Sequence, residues 1–185
     1  MSMPIAKIYC DRCEFVIGTN VGWGKFSYTL SEGRHLSIDR GLGWCNDCES
    51  LTPIESFAKP TRLNEELEQL DSRIASLQPK GIFSKLLWNQ SQSKREVVSL
   101  REQRTEIAER LAFLSRRMAP PKCLECGSTA ILEIQFPPSD IRPAKVGWSH
   151  PNCGGELWIV DPEVRLSIKL KQRHYSAEGD VISTD

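Results

Sequence analysis

Four short elbows constrain this chain more than anything else in it: Cys10-Asp11-Arg12-Cys13, Cys45-Asn46-Asp47-Cys48, Cys123-Leu124-Glu125-Cys126 and His150-Pro151-Asn152-Cys153. Two ligands with two residues between them let a tight turn aim both side chains at one point. Two such turns supply the four tetrahedral ligands that zinc prefers. All seven cysteines of the chain are used, and His150 makes the eighth ligand. Taken in chain order, the elbows predict one site of Cys10, Cys13, Cys45 and Cys48 and another of Cys123, Cys126, His150 and Cys153. The expected cofactor is two structural Zn2+ ions, one per site.

The compartment supports metal over disulfides. No stretch approaches the roughly 20 apolar residues of a membrane-spanning helix. The start, Met1 to Lys7, has no apolar signal segment. A cytoplasmic location is expected, and in a reducing cytosol paired thiols serve as metal ligands. Seven cysteines would also strand one if all were oxidised.

The 185 residues allow two small domains and a connector. Residues 1–59 predict an antiparallel sheet with metal at one end, built from strand-like Lys25 to Leu30 and His35 to Ile38. Gly41-Leu42-Gly43-Trp44 then delivers the second elbow. Trp23 and Trp44 are expected to cover the metal, because so small a unit has little core. His35 is expected on a strand face, its site being already complete.

Residues 60–119 carry helical periodicity. Leu63, Leu67, Leu70, Ile74 and Leu77 recur at steps of three and four, with Thr61 as a candidate N-cap. A second stripe follows: Val97, Leu100, Arg104, Ile107, Leu111, Leu114 and Met118. Two such stripes predict an antiparallel coiled-coil hairpin, with Arg104 laying its stem along the seam. The tip, 80–95, has four basic residues and no acidic one. Ile82, Phe83, Lys85, Leu86, Leu87 and Trp88 make it either a docking surface for a protein partner or an anionic membrane, or a segment that folds back along the hairpin or a ribbon or begins the second helix near Phe83.

Residues 120–185 predict a second sheet, with strands at Ala130 to Phe136 and Leu157 to Val160. Val164, Leu166, Ile168 and Leu170 alternate with Arg165, Ser167, Lys169 and Lys171, a half-buried strand with a basic outer face, and the last residues are expected to fray. Val146-Gly147-Trp148 precedes His150 much as Leu42-Gly43-Trp44 precedes Cys45, which reads as two variations on one design.

The paired elbows at Cys10/Cys13 with Cys45/Cys48 and at Cys123/Cys126 with His150/Cys153 resemble those of zinc-ribbon proteins. The implied fold is α+β, two antiparallel zinc ribbons joined by a coiled-coil helical hairpin. The combination also resembles, more loosely, bacterial regulators that insert a coiled-coil tip into RNA polymerase. Their tips are acidic, whereas this one is basic and apolar.

Both sites have four protein ligands, whereas catalytic zinc keeps a position open. No phosphate-binding loop, nucleophile elbow or carboxylate pair accompanies them, so no enzyme and no small-molecule substrate are expected. The leading expectation is an adaptor that mediates protein-protein interactions. Nucleic acid is the alternative partner, met by Lys80, Lys85, Lys94 and Arg95 with Lys169, Lys171, Arg173 and His174. It draws on the uneven charge, since residues 61–118 hold eleven basic and eight acidic groups. Membrane attachment through the tip is the third expectation.

Overall fold

The computed structural model describes residues 2–30, 33–78, 92–136, 143–160, 165–167 and 172–184. They divide into two units. One is assembled from both ends of the chain, Met1–Ser56 with Ala119–Asp185, and the other is Phe57–Met118.

In chain order the first seven strands are β1 (Ser2–Pro4), β2 (Lys7–Cys10), β3 (Val16–Gly18), β4 (Lys25–Thr29), β5 (His35–Ser37), β6 (Arg40–Cys45) and β7 (Ser50–Glu55). Helices α1 (Pro60–Leu77) and α2 (Gln92–Arg116) follow. The chain then returns as β8 (Ile131–Glu133), β9 (Ala144–Ser149), β10 (Glu156–Val160), β11 (Arg165–Ser167), β12 (Gln172–Tyr175) and β13 (Val181–Thr184).

These thirteen strands make the described chain mostly β, in four sheets ordered β1-β11, β3-β2-β10-β9, β13-β12-β4-β5 and β7-β6-β8. The expected α+β pair of zinc ribbons joined by a coiled-coil hairpin is therefore overturned. Every one of the four sheets mixes strands from before and after the helices.

The physical reason lies in what each hairpin leaves unfinished. β2 pairs on one side with β3, and its other side is filled by β10 from the far end of the chain. The antiparallel register sets Ile8 opposite Ile159 and Cys10 opposite Leu157. All four are buried. Directly opposed residues project to one face of a sheet, so the register fuses two apolar stripes into one. Neither stripe could bury itself within its own hairpin.

That fused face packs with Trp44 and Leu51 of β6 and β7, with Val146 of β9 and with Ile134 into one core. In the sheet containing β4 and β12 the pairing is parallel, Phe26 beside Arg173 and Tyr28 beside Tyr175. Phe26, Tyr28, Leu36 and Tyr175 are buried on its inner face. Each buried aromatic of this size removes about 150–250 Å² from water, a large share of what so small a unit can gather.

The last residues depart from the sequence reading. They were expected to fray, yet β12 and β13 pair antiparallel. Tyr175 is fully buried and anchors them. The predicted strand from Ala130 to Phe136 shortens to β8. Of the alternating segment 164–170, the described part is β11, and its other residues lie outside the described ones.

In the second unit Pro60 occupies the first helical turn of α1, where its missing N–H costs nothing, and Lys59 rather than Thr61 is the N-cap. Ile74, Val97 and Leu100 form a small core between the helices, with Leu70 and Leu77 against it. Arg104 does not merely lie along a seam, because it forms a two-pronged ion pair with Asp71 at 2.6 and 3.3 Å. Met118, assigned to the seam by its spacing, is 90 % exposed, and the neighbouring buried anchor is Phe113. Ile82, Phe83, Lys85, Leu86, Leu87 and Trp88 lie outside the described residues. Among the described residues no helix is long and apolar enough to cross a membrane.

Candidate metal centres

The eight predicted ligands gather into two clusters, each with its four ligand atoms within 4.8 Å of one another. The partnership is not the one expected from chain order. Cys10 and Cys13 join His150 and Cys153, while Cys45 and Cys48 join Cys123 and Cys126. The first elbow thus closes on the fourth and the second on the third. The cause is the strand pairing already described: β2 ends in Cys10 and lies against β10, and β6 ends in Cys45 and lies against β8.

In the first cluster Cys10 Sγ lies 3.4 Å from Cys153 Sγ, and Cys153 Sγ lies 3.5 Å from Cys13 Sγ. His150 Nδ1 is 3.2 Å from Cys153 Sγ and 3.4 Å from Cys13 Sγ. A disulfide would bring two sulfurs to about 2.05 Å. A tetrahedral ion with bonds of about 2.3 Å to sulfur has edges of about 3.8 Å. The spacings suit a shared ion, and all seven cysteines are free.

The first and fourth elbows are bound to each other apart from any ion. The Asp11 carboxylate accepts the Glu156 N–H at 2.8 Å, and the Asp11 N–H donates to the Glu156 carbonyl at 3.1 Å. Gly155 is required by this closeness. A Cβ at that position would sit 2.5 Å from Cys10 Sγ and 2.7 Å from Asp11 Oδ1.

His150 is buried under aromatic rings. Phe15 stacks on it with centroids 4.7 Å apart, and Trp44 meets it edge-on at 5.1 Å. Trp148 in turn lies 5.7 Å from Trp44. The two Gly-Trp pairs noticed in the sequence therefore meet. Trp44, one residue before a ligand of the second cluster, covers the histidine of the first. Nδ1 faces the sulfurs, while the buried Nε2 has no hydrogen-bond partner. The ring thus offers one nitrogen to the cluster and keeps the other dry.

In the second cluster Cys45 Sγ is 3.5 Å from Cys126 Sγ, and Cys48 Sγ is 4.0 Å from Cys123 Sγ. The third elbow is held from two directions. On one side Cys123 bridges Ile54, and the Leu124 N–H donates to the Pro53 carbonyl at 2.9 Å. On the other, the Leu124 carbonyl accepts the Tyr175 hydroxyl at 2.7 Å and an Arg173 N–H at 3.2 Å. Arg173 also pairs with Glu125 at 2.6 Å. Gly43 allows the sheet below to form, since a Cβ there would lie 2.6 Å from the Leu132 carbonyl oxygen.

The electrostatics of each cluster would suit a cation. Burial raises the Cys10 thiol, but the Arg12 N–H at 3.5 Å and the Cys153 and Cys13 thiols outweigh it and hold it below the ordinary value. The Gly155 N–H lowers Cys153, yet burial and the Cys10 and Cys13 sulfurs push it up to about 11. Burial, followed by the sulfurs of Cys126, Cys123 and Cys45, raises Cys48 strongly. Crowded thiols cannot all ionise against one another, and a divalent ion removes that conflict. Burial lowers the basicity of His150, which keeps it neutral and able to ligate.

Several supporting residues carried no signal in the sequence. Glu55 is 2 % exposed and accepts from the Tyr28 hydroxyl at 2.7 Å and the Lys122 N–H at 2.8 Å. Thr52 Oγ1 lies 3.2 Å from Cys123 Sγ. Arg173, a candidate phosphate contact by sequence, is instead committed to the third elbow. Lys80, Lys85, Lys169 and Lys171 lie outside the described residues. His35 is exposed on β5, as expected, and belongs to neither cluster.

Fold and sites together define a mostly β protein with two clusters of four Cys/His side chains that could each hold a metal ion, fed by both ends of the chain. No protein family, no curated protein and no solved structure matches this chain.

Proposed function

We propose that this protein is a zinc-dependent adaptor, in which two structural Zn2+ ions hold the β unit in shape for contact with a protein partner. The observation that carries the reading is that each cluster brings four protein ligands together. Four ligands complete the tetrahedron, leaving zinc no open position for water or substrate. Thiolates and one neutral imidazole are the donor set of structural zinc, and they require reducing conditions such as those of the cytoplasm. The adaptor role is supported by apolar residues exposed on edge strands: Val16 on β3, Leu132 on β8, and Val181 and Ile182 on β13. Such edges offer both unpaired backbone groups and apolar surface to another chain.

The test has two stages. Elemental analysis of freshly purified protein is expected to find two zinc ions per chain. A partner identified by affinity purification from the native host is then purified and titrated against the zinc-loaded protein and against the chelated protein. Binding that disappears with zinc supports the adaptor reading. Equal binding after zinc removal contradicts it.

A further inference from the structure

The outer face of the sheet β13-β12-β4-β5 carries two histidines that belong to neither cysteine cluster. We propose that His35 and His174, with Gln172 beside them, bind a borderline divalent transition ion of the zinc, nickel or copper class. The proposal stands independently of the adaptor reading.

The two imidazoles come from strands separated by β4, His35 from β5 and His174 from β12. Their ring centroids lie 4.8 Å apart with the planes at 48°. An ion about 2.0–2.1 Å from a ligating nitrogen lies about 3.2 Å from that ring's centroid. Two rings on one ion then have centroids about 4.5 Å apart at a right angle and about 5.2 Å apart at the tetrahedral angle. The observed separation falls between the two.

Hydrogen bonding fixes how His174 presents itself. Gln172 Nε2 lies 3.1 Å from His174 Nε2. An amide nitrogen only donates, so His174 Nε2 must be the accepting nitrogen. The proton then sits on Nδ1, which donates to Ser27 Oγ at 3.1 Å. This is the arrangement found behind metal-ligating histidines. One ring nitrogen is tied to a neighbour, which sets the tautomer and orientation and leaves the other's lone pair available. An arriving ion displaces the Gln172 N–H, and that exposed amide can rotate to offer its oxygen.

The backbone makes the pair firm. His174 lies opposite Ser27 and His35 opposite Thr29, so both histidines are indexed to the same central strand. Residues next to them in sequence face the other way: Leu36 and Tyr175 are buried in the core. The histidines thus stand on the solvent side of a sheet whose inner side is anchored.

The test is equilibrium dialysis of the full chain, carrying its two cluster-bound ions, against Ni2+, with bound nickel and zinc both counted. The wild type is expected to take up one nickel while retaining its zinc. His174→Ala and His35→Ala are each expected to lose that nickel with zinc unchanged. Ser27→Ala is expected to weaken it by about tenfold, as loss of a supporting hydrogen bond does. Nickel uptake that is absent in the wild type, that persists in both histidine variants, or that comes only at the expense of zinc overturns the proposal.

Discussion

The two clusters use the same elbow and differ in what packs around it. The cluster of Cys10, Cys13, His150 and Cys153 is sheltered by rings, with Phe15 at 4.7 Å and Trp44 at 5.1 Å from the imidazole centroid. The four-cysteine cluster is gripped by polar groups, with the Tyr175 hydroxyl and Arg173 meeting the Leu124 carbonyl and Arg173 paired with Glu125. A buried imidazole with one idle nitrogen tolerates apolar cover. Four sulfurs around a divalent ion would leave a net double negative charge, toward which the Glu125 N–H donates to Cys123 Sγ at 3.4 Å, while Tyr175 and Arg173 fix the elbow's backbone.

The sharpest way to separate the clusters is steric. Gly155→Val places carbon against Cys10 Sγ and the Asp11 carboxylate, where a Cβ already comes within 2.5 and 2.7 Å. Metal in the histidine cluster should be lost, and with it much of a binding free energy of about 10 kcal/mol or more. Metal counting should give one ion per chain, with the four-cysteine cluster still loaded. Loss of both ions would show that the clusters are not separable.

Removing the rings tests the shelter. Trp44→Ala deletes a side chain that is 1 % exposed and should cost about 3–5 kcal/mol in chemical denaturation. Although Trp44 adjoins Cys45, chelator should then extract metal faster from the cluster of His150.

Acidity sharpens the comparison further. Near neutral pH the four-cysteine cluster must release about four protons to bind a divalent ion and the histidine cluster about three. Burial holds His150 below its ordinary value, so it stays neutral as pH falls from 8 toward 6.5. Over that window the four-cysteine cluster should lose affinity faster, by about tenfold relative to its neighbour for each pH unit. Competition with a chelator at several pH values reads this ratio directly.

The smallest effect concerns the grip. Tyr175→Phe removes a hydroxyl 2.7 Å from the Leu124 carbonyl, which keeps Arg173 as a donor. A loss of about 1 kcal/mol is expected, with faster metal exchange confined to the four-cysteine cluster.

The eight clustered side chains were legible in the sequence because the elbow is a local device: two residues between its ends suffice to aim both at one point. Which elbow meets which was not. Four elbows can pair in three ways, and chain order favours neighbours only if each half can finish its own sheet. Ile8 and Cys10 cannot, because the strand that completes their face is β10, almost the whole chain away. The residues that arbitrate, Glu55, Thr52, Arg173 and Tyr175, are ordinary strand residues whose roles exist only after long-range pairing. Helix α1 could be read from Leu63 to Leu77 because its period is local. β13 could not, because its residues are all exposed and its order comes from β12.

The central claim is the nested partnership of the elbows, and cadmium substitution tests it most directly. In 113Cd NMR a four-sulfur site and a site of three sulfurs and one imidazole give separate resonances, the latter coupled to His150. With Cys13→Ser, the account predicts that the imidazole-coupled resonance is lost or shifted and that the four-sulfur resonance remains. Disturbance of the four-sulfur resonance, with the His150 signal intact, would return Cys13 to the company of Cys45 and contradict the fold described here.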